Sequence, residues 1–155
     1  MSIEKGRAYL EARGYGDRIR EFSVSSATVE LAAQAVGCEP ARIAKTLSFA
    51  VDGGCVLIVC AGDAKIDNGR YKAQFHTKAT MLSPEQVEAF TGHAVGGVCP
   101  FAVNEGCNVY LDDSLRRFDV VYPACGSASS AIGLTLSELE ACTQPSGWVD
   151  VCKLP

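Results

Sequence analysis

Lys45 is the residue whose setting most constrains the chemistry of this chain. The stretch Ile43 to Val51 alternates as a strand does, and one of its faces carries Ile43, Lys45, Leu47, Phe49 and Val51. A lysine on that apolar face is costly unless its ammonium finds a partner. Two arrangements satisfy it. The side chain can snorkel past its neighbours at a strand end, or the ammonium can stand at the mouth of a pocket, awaiting an anionic or carbonyl partner. A second feature is Gly96-Gly97-Val98-Cys99-Pro100. Paired glycines let another molecule approach the main chain, and the proline stiffens the exit. Such a loop either aims free N–H groups at a developing oxyanion or is a tight connection with no ligand. A third is Gly126-Ser127-Ala128-Ser129-Ser130, which can line a pocket wall, contact a nucleotide or form a flexible loop. It is not a phosphate-binding P-loop, because no Gly-Lys-Ser/Thr ending follows.

Other groups invite rival chemistry. Cys99 with His76 or His93 would make a thiol nucleophile and its base, although such partners meet only in space. Asp63, Asp67 and Asp112 are possible acids or bases. Asp63 follows Gly62 in a turn, and the other two precede expected helices, so turn and capping duties account for all three. The eight cysteines contain no C-x-x-C pair. Cys55 and Cys60 share one apolar run but face opposite sides of a strand, so they do not converge on a metal. The expectation is small buried thiols in a reducing compartment, with neither zinc nor a structural disulfide.

These groups need a scaffold. Residues 2–13 suit a helix, and 27–36 suit one better. There Val29, Ala32, Ala33 and Val36 recur at helical spacing, and Gly37 supplies a stop. Ile43 to Val51, the turn Asp52-Gly53-Gly54 and the return Cys55 to Ala61 read as a hairpin. Its second arm is apolar on both faces, which predicts a central position in a sheet. Ser83-Pro84-Glu85-Gln86 and Thr135-Leu136-Ser137-Glu138 are capping boxes, with Leu82/Val87 and Leu134/Leu139 as hydrophobic staples. His93 to Phe101, Asn108 to Leu111 and Phe118 to Tyr122 read as short strands or loops, and Ser130 to Leu134 and Trp148 to Val151 as short strands. The pattern predicts an α/β chain of α+β type: a mixed, barrel-like sheet with flanking helices.

At 155 residues there is room for one domain, 1–155, around one core. The longest apolar run has the length of a buried strand and not of a membrane span, and the N-terminus lacks a signal peptide's apolar stretch. A cytoplasmic protein is expected. The net charge of −4 argues against a broad phosphate-binding face, hence against DNA, and restricts any nucleic-acid contact to a local one.

Taken in order, several segments resemble the YbaK/prolyl-tRNA-synthetase-associated domain. They are Ala44-Lys45-Thr46-Leu47, Ala61-Gly62-Asp63-Ala64-Lys65-Ile66-Asp67, Ser83-Pro84-Glu85-Gln86-Val87 and Thr91 to Phe101, followed by Asp112 and the stretch Val121 to Gly126. The likeness spans roughly residues 27 to 152. It implies a barrel-like mixed sheet and hydrolysis of the ester joining a wrong amino acid to tRNA, mostly tRNA for proline. It implies no metal or other cofactor, and in some members the tRNA's terminal hydroxyl assists. The family's motif lysine falls on Lys45, and its Gly-Gly-x-Ser-Pro loop on Gly96, Gly97, Cys99 and Pro100. Cys99 stands in place of the usual serine, and Ala102 where glycine is common.

The resulting expectation is a freestanding deacylase for mischarged tRNA carrying a small residue such as alanine or cysteine. Lys45, Gly96 and Gly97 are its catalytic groups. Thr46, Leu47, Val98, Cys99, Pro100, Gly126 and Ser127 bind substrate. The partners are the acceptor end of aminoacyl-tRNA and prolyl-tRNA synthetase. The alternatives are a non-catalytic aminoacyl- or nucleotide-binding module of the same fold and a thiol-dependent hydrolase of small esters.

Overall fold

The computed structural model describes residues 2–94 and 98–155. The first half contains α1 (Ser2–Glu11), β1 (Arg20–Glu21), α2 (Val29–Val36), β2 (Ile43–Val51), β3 (Gly54–Ala61), β4 (Lys65–Ile66), α3 (Asn68–Phe75) and α4 (Pro84–Thr91). The second contains β5 (Cys107–Asp112), β6 (Val120–Pro123), β7 (Ser130–Ala131), β8 (Leu134–Thr135), α5 (Leu136–Thr143), β9 (Gly147–Val149) and β10 (Cys152–Lys153). Six strands form one mixed sheet in the order β8-β6-β2-β3-β5-β9, curled into a half-barrel with helices outside it. The pairs β1-β7 and β4-β10 add two small antiparallel ladders. Among the described residues no helix is long and apolar enough to cross a membrane.

The hairpin β2-β3 is the centre of the sheet. Val51 pairs with Gly54, so the turn is Asp52-Gly53, and Gly53 takes the positive φ of 77° that such a two-residue turn requires. Burial on both faces explains the uninterrupted apolar sequence of β3: everything from Cys55 to Ala61 is buried between antiparallel β2 and parallel β5. A fully buried Leu, Ile or Val side chain contributes about 1.5–3 kcal/mol, which makes Leu57, Ile58 and Val59 the mechanical middle of the molecule.

The helices begin where their sequence signals stand. Thr28 caps α2, its side chain accepting from Leu31 N–H at 3.1 Å. Both capping boxes form, at Ser83/Gln86 and at Thr135/Glu138. Asp67 caps α3, and Asp112 accepts from Ser114 N–H and Val151 N–H, both at 2.9 Å, so these two acids hold backbone in place. A line of aromatic rings pins α3 to the sheet: Phe49–Tyr71 at 5.1 Å, Tyr71–Phe75 at 4.8 Å and Phe75–Tyr110 at 5.1 Å. The stretch Ser130 to Leu134 is not one strand but two, β7 and β8, which pair with different partners.

The expectation about the cysteines is corrected in one respect. Cys55 and Cys107 form a disulfide. They are direct register partners on the parallel neighbours β3 and β5, with Cα atoms 5.0 Å apart. Their separation of 52 residues hides the pair from any argument about spacing along the chain. The bridge lies in a small apolar cluster with Leu82 and Val87, beneath the start of α4.

Candidate active site

A cavity of about 320 Å³ opens over strand β2. Its floor is the face of β2 that carries Ala44, Thr46 and Ser48. This is the alternate face to that of Leu47 and Phe49, which pack into the main core. Val29 and Ala32 of α2 close one side. Met81, Leu82 and Pro84, at the entry to α4, close the other with Val87, and Val98 borders them. Tyr122 and Ala124, after the parallel pairing of β6 with β2, complete the wall.

Lys45 borders the same cavity, and its ammonium is fixed. Nζ donates to the carbonyl of Ala64 at 2.5 Å and to that of Gly62 at 3.3 Å. The turn that supplies those carbonyls is held from both sides. Gly62 approaches Pro40 so closely that a Cβ there would fall 2.1 Å from the Pro40 carbonyl oxygen. Asp63, between the two acceptors, takes both guanidinium N–H groups of Arg117 at 2.6 and 3.1 Å. That pairing holds the Asp63 carboxyl below its ordinary range. Asp63 is thus an ion-pair partner and not a free base. An ammonium has three donors; two serve this turn, and the third has no hydrogen-bond partner among the described residues.

The thiol alternative meets a geometric obstacle. Cys99 is wholly buried, with Sγ 3.6 Å from His93 Nε2 and 3.6 Å from the Phe101 carbonyl. His93 Nε2 lies 2.7 Å from the same carbonyl, which can only accept, so that nitrogen carries the proton and donates it. It has no lone pair to take a proton from the thiol. Burial pushes the Cys99 thiol up to about 12 and lowers the His93 pKa. His76 ends α3 and borders a different cavity. A thiolate nucleophile needs an electropositive, accessible setting, and Cys99 has neither access nor a base.

The family described as aminoacyl-tRNA editing domain matches residues 24–142. The chain belongs to that family. The editing domain is 49% identical to the uncharacterized protein YwhH of Bacillus subtilis (strain 168), over 99% of this chain and 98% of the relative. It is 28% identical, over 73% of this chain and 70% of the other, to EbsC of Enterococcus faecalis (strain ATCC 700802 / V583), named as a candidate Cys-tRNA(Pro)/Cys-tRNA(Cys) deacylase. It also superposes on a solved structure described as a candidate trans-editing enzyme for prolyl tRNA synthetase. The TM-score is 0.88, with 32% identity over 98% of this chain and 97% of that one.

The residues singled out from sequence divide in three ways within this editing domain. Lys45, Thr46 and Val98 border the cavity together. Leu47 does not, because alternation turns it into the main core, and Cys99 and Pro100 are buried away from the cavity lining. Gly96 and Gly97 lie outside the described residues. Gly126 and Ser127 do not line the cavity either; their stretch acts one step removed. The neighbouring Ala128 carbonyl accepts from Ser26 N–H at 2.6 Å and from Ser26 Oγ at 3.2 Å, holding Ser26 at the rim, and only Ser130 of that stretch lines the cavity.

Sequence reading missed the floor residue Ser48 and the α2 wall. The signal for Ser48 was present: on a strand in mid-sheet, the face Ala44-Thr46-Ser48 is small and hydroxylated where a packed face would be bulky. Ala102 adopts φ 54° in the left-handed region, a conformation that suits glycine and strains alanine.

Proposed function

We propose that this editing domain is a freestanding deacylase. It hydrolyses the ester between a wrongly attached small amino acid, such as alanine or cysteine, and tRNA, that for proline being the first candidate. One observation carries the reading: Lys45, its ammonium held by two carbonyls with one donor unspent, is among the residues that line a small cavity. A volume of about 320 Å³ is at the lower end for ligand sites, and it suits a small aminoacyl group. Lys45 anchors the substrate through the terminal phosphate or the aminoacyl group. Main-chain N–H groups of the Gly96-Gly97 segment stabilise the charge that develops on the ester carbonyl, a contribution of about 3 kcal/mol per donor. Among the described residues that line the cavity there is no histidine, aspartate or glutamate. That supports activation of the attacking water by the substrate's own groups. The relatives' names support the substrate class, and an acidic chain suits a partner held only by its acceptor end. The setting in which the reaction takes place is the cytoplasm, where prolyl-tRNA synthetase is the natural partner.

The lack of a titratable base also favours one other reading, a binding module of the same fold without turnover. A panel of tRNAs for proline, charged with alanine, cysteine, serine and proline, separates the two. Deacylation of at least one mischarged species by the wild type, lost in Lys45→Ala, is the expected result. Binding of all without hydrolysis of any replaces the enzyme with the module.

A further inference from the structure

The hydroxyls around the cavity are not equivalent. Ser26 Oγ donates to the Ala128 carbonyl at 3.2 Å. Thr28 Oγ1 accepts from Leu31 N–H at 3.1 Å. Ser130 Oγ accepts from Cys125 N–H at 3.2 Å and donates to the Ser127 carbonyl at 3.3 Å. Each of these is occupied in holding the fold. Ser48 differs: it is only 6% exposed, lines the cavity floor, and its hydroxyl has no hydrogen-bond partner among the described residues. Its main chain is engaged, since the Ser48 carbonyl accepts from Leu82 N–H at 3.2 Å, which holds the residue's backbone at the floor. Leu82, Val87 and Val98 make this end of the cavity apolar. Thr46, the preceding residue on the same face, likewise has an unpartnered hydroxyl and stands nearer Lys45 along the strand.

A hydroxyl that faces a cavity with no protein partner keeps its donor and its acceptor positions for a bound atom. Ser48 Oγ, on the floor with donor and acceptor unspent, is placed to meet a ligand atom. We infer that Ser48 is a specificity-determining residue: it hydrogen-bonds a hydroxyl or thiol on the β-carbon of the attached amino acid. The preferred cargo is therefore serine, then cysteine with its weaker sulfur bond, ahead of alanine. This rests on the deacylase reading and narrows it. A pocket that only measures size discriminates weakly between side chains of nearly equal volume, whereas a pocket group left unpaired by the wrong ligand discriminates strongly. A single neutral hydrogen bond corresponds to about a tenfold preference.

The test is kcat/KM for tRNA for proline charged with serine, cysteine or alanine, measured on the wild type, Ser48→Ala and Ser48→Cys, each checked by thermal melting. The wild type is expected to favour the seryl over the alanyl ester about tenfold. That ratio should fall toward one in Ser48→Ala and recover in part in Ser48→Cys, which restores a polar atom. A wild type that hydrolyses the alanyl ester as fast as the seryl one overturns the assignment, whatever the variants do. So does a preference that survives Ser48→Ala. Hydrolysis that is indifferent to Ser48 removes this inference alone, while failure of the wild type on every ester removes the deacylase reading with it.

Discussion

Replacing Lys45 should cost stability as well as activity, and the two losses can be measured apart. Its ammonium makes one short hydrogen bond, 2.5 Å to the carbonyl of fully buried Ala64, and a longer one, 3.3 Å to that of half-buried Gly62. Hydrogen bonds to charged groups contribute about 1.5–3 kcal/mol, and leaving a buried acceptor unsatisfied costs about 1–3 kcal/mol. The Ala64 bond dominates, because water can reach the Gly62 carbonyl once the lysine is gone. Lys45→Ala is therefore expected to lose about 2 kcal/mol. For a chain of this length that lowers the melting temperature by about 4–8 °C. Deacylation should fall by about a hundredfold or more at a temperature well below both melting points, where folding cannot account for it. The assay is a thermal melt of wild type and variant in one buffer, followed by single-turnover deacylation at 25 °C. A variant that melts within a degree of the wild type refutes the claim that Lys45 holds the Gly62–Ala64 turn. A variant that melts low but deacylates every ester at the wild-type rate leaves Lys45 a structural residue only.

Three further outcomes follow from the structure. Ala102→Gly relieves a left-handed alanine at φ 54° and, after the entropy gained by the unfolded chain, should raise stability by about 0.5–1 kcal/mol, seen as a melting temperature about 2 °C higher. Reduction of the Cys55–Cys107 bridge, or Cys107→Ser, should lower the melting temperature, because closing a 52-residue loop is worth about 4 kcal/mol in the chain-entropy account. A scan with and without dithiothreitol reads this directly, and superimposable scans would contradict it. Cys99→Ser should keep most activity, and native protein should give no acyl adduct on Cys99 by mass spectrometry, since the thiol is buried and pushed up to about 12; detection of such an adduct reinstates the thiol mechanism.

What was legible in the sequence had local causes. The Asp52-Gly53 turn, the two capping boxes and the caps at Asp67 and Asp112 each act within a few residues, so their signals survive in one dimension. Lys45 was legible because a charge on an apolar face is conspicuous wherever the strand lies. The disulfide was not, because its cause is the parallel pairing of β3 with β5, a property of the sheet and not of spacing. Leu47 and Cys99 lie off the cavity lining for a related reason. Adjacency to Lys45 or to a glycine pair says nothing of which side a residue presents, and alternation sends Leu47 to the core while Cys99 turns in toward His93. The small-residue stretch at Gly126 reads like a ligand loop, but its carbonyls are spent on residues 22 to 26, a pairing about a hundred residues away in the chain.

The floor and the walls of the cavity differ in how freely they can evolve. Ala44, Thr46 and Ser48 belong to the strand that ties both halves of the sheet together, so a bulky replacement there disturbs the ladder as well as the pocket. Met81, by contrast, is 59% exposed at the rim, and substitutions at such positions usually change stability by no more than about 0.5 kcal/mol. The rim can therefore drift while the strand that carries Lys45 and Ser48 stays fixed. On the deacylase reading, rim substitutions adjust how the substrate fits at the mouth, whereas a change in the Ser48 contact requires a substitution on the strand itself.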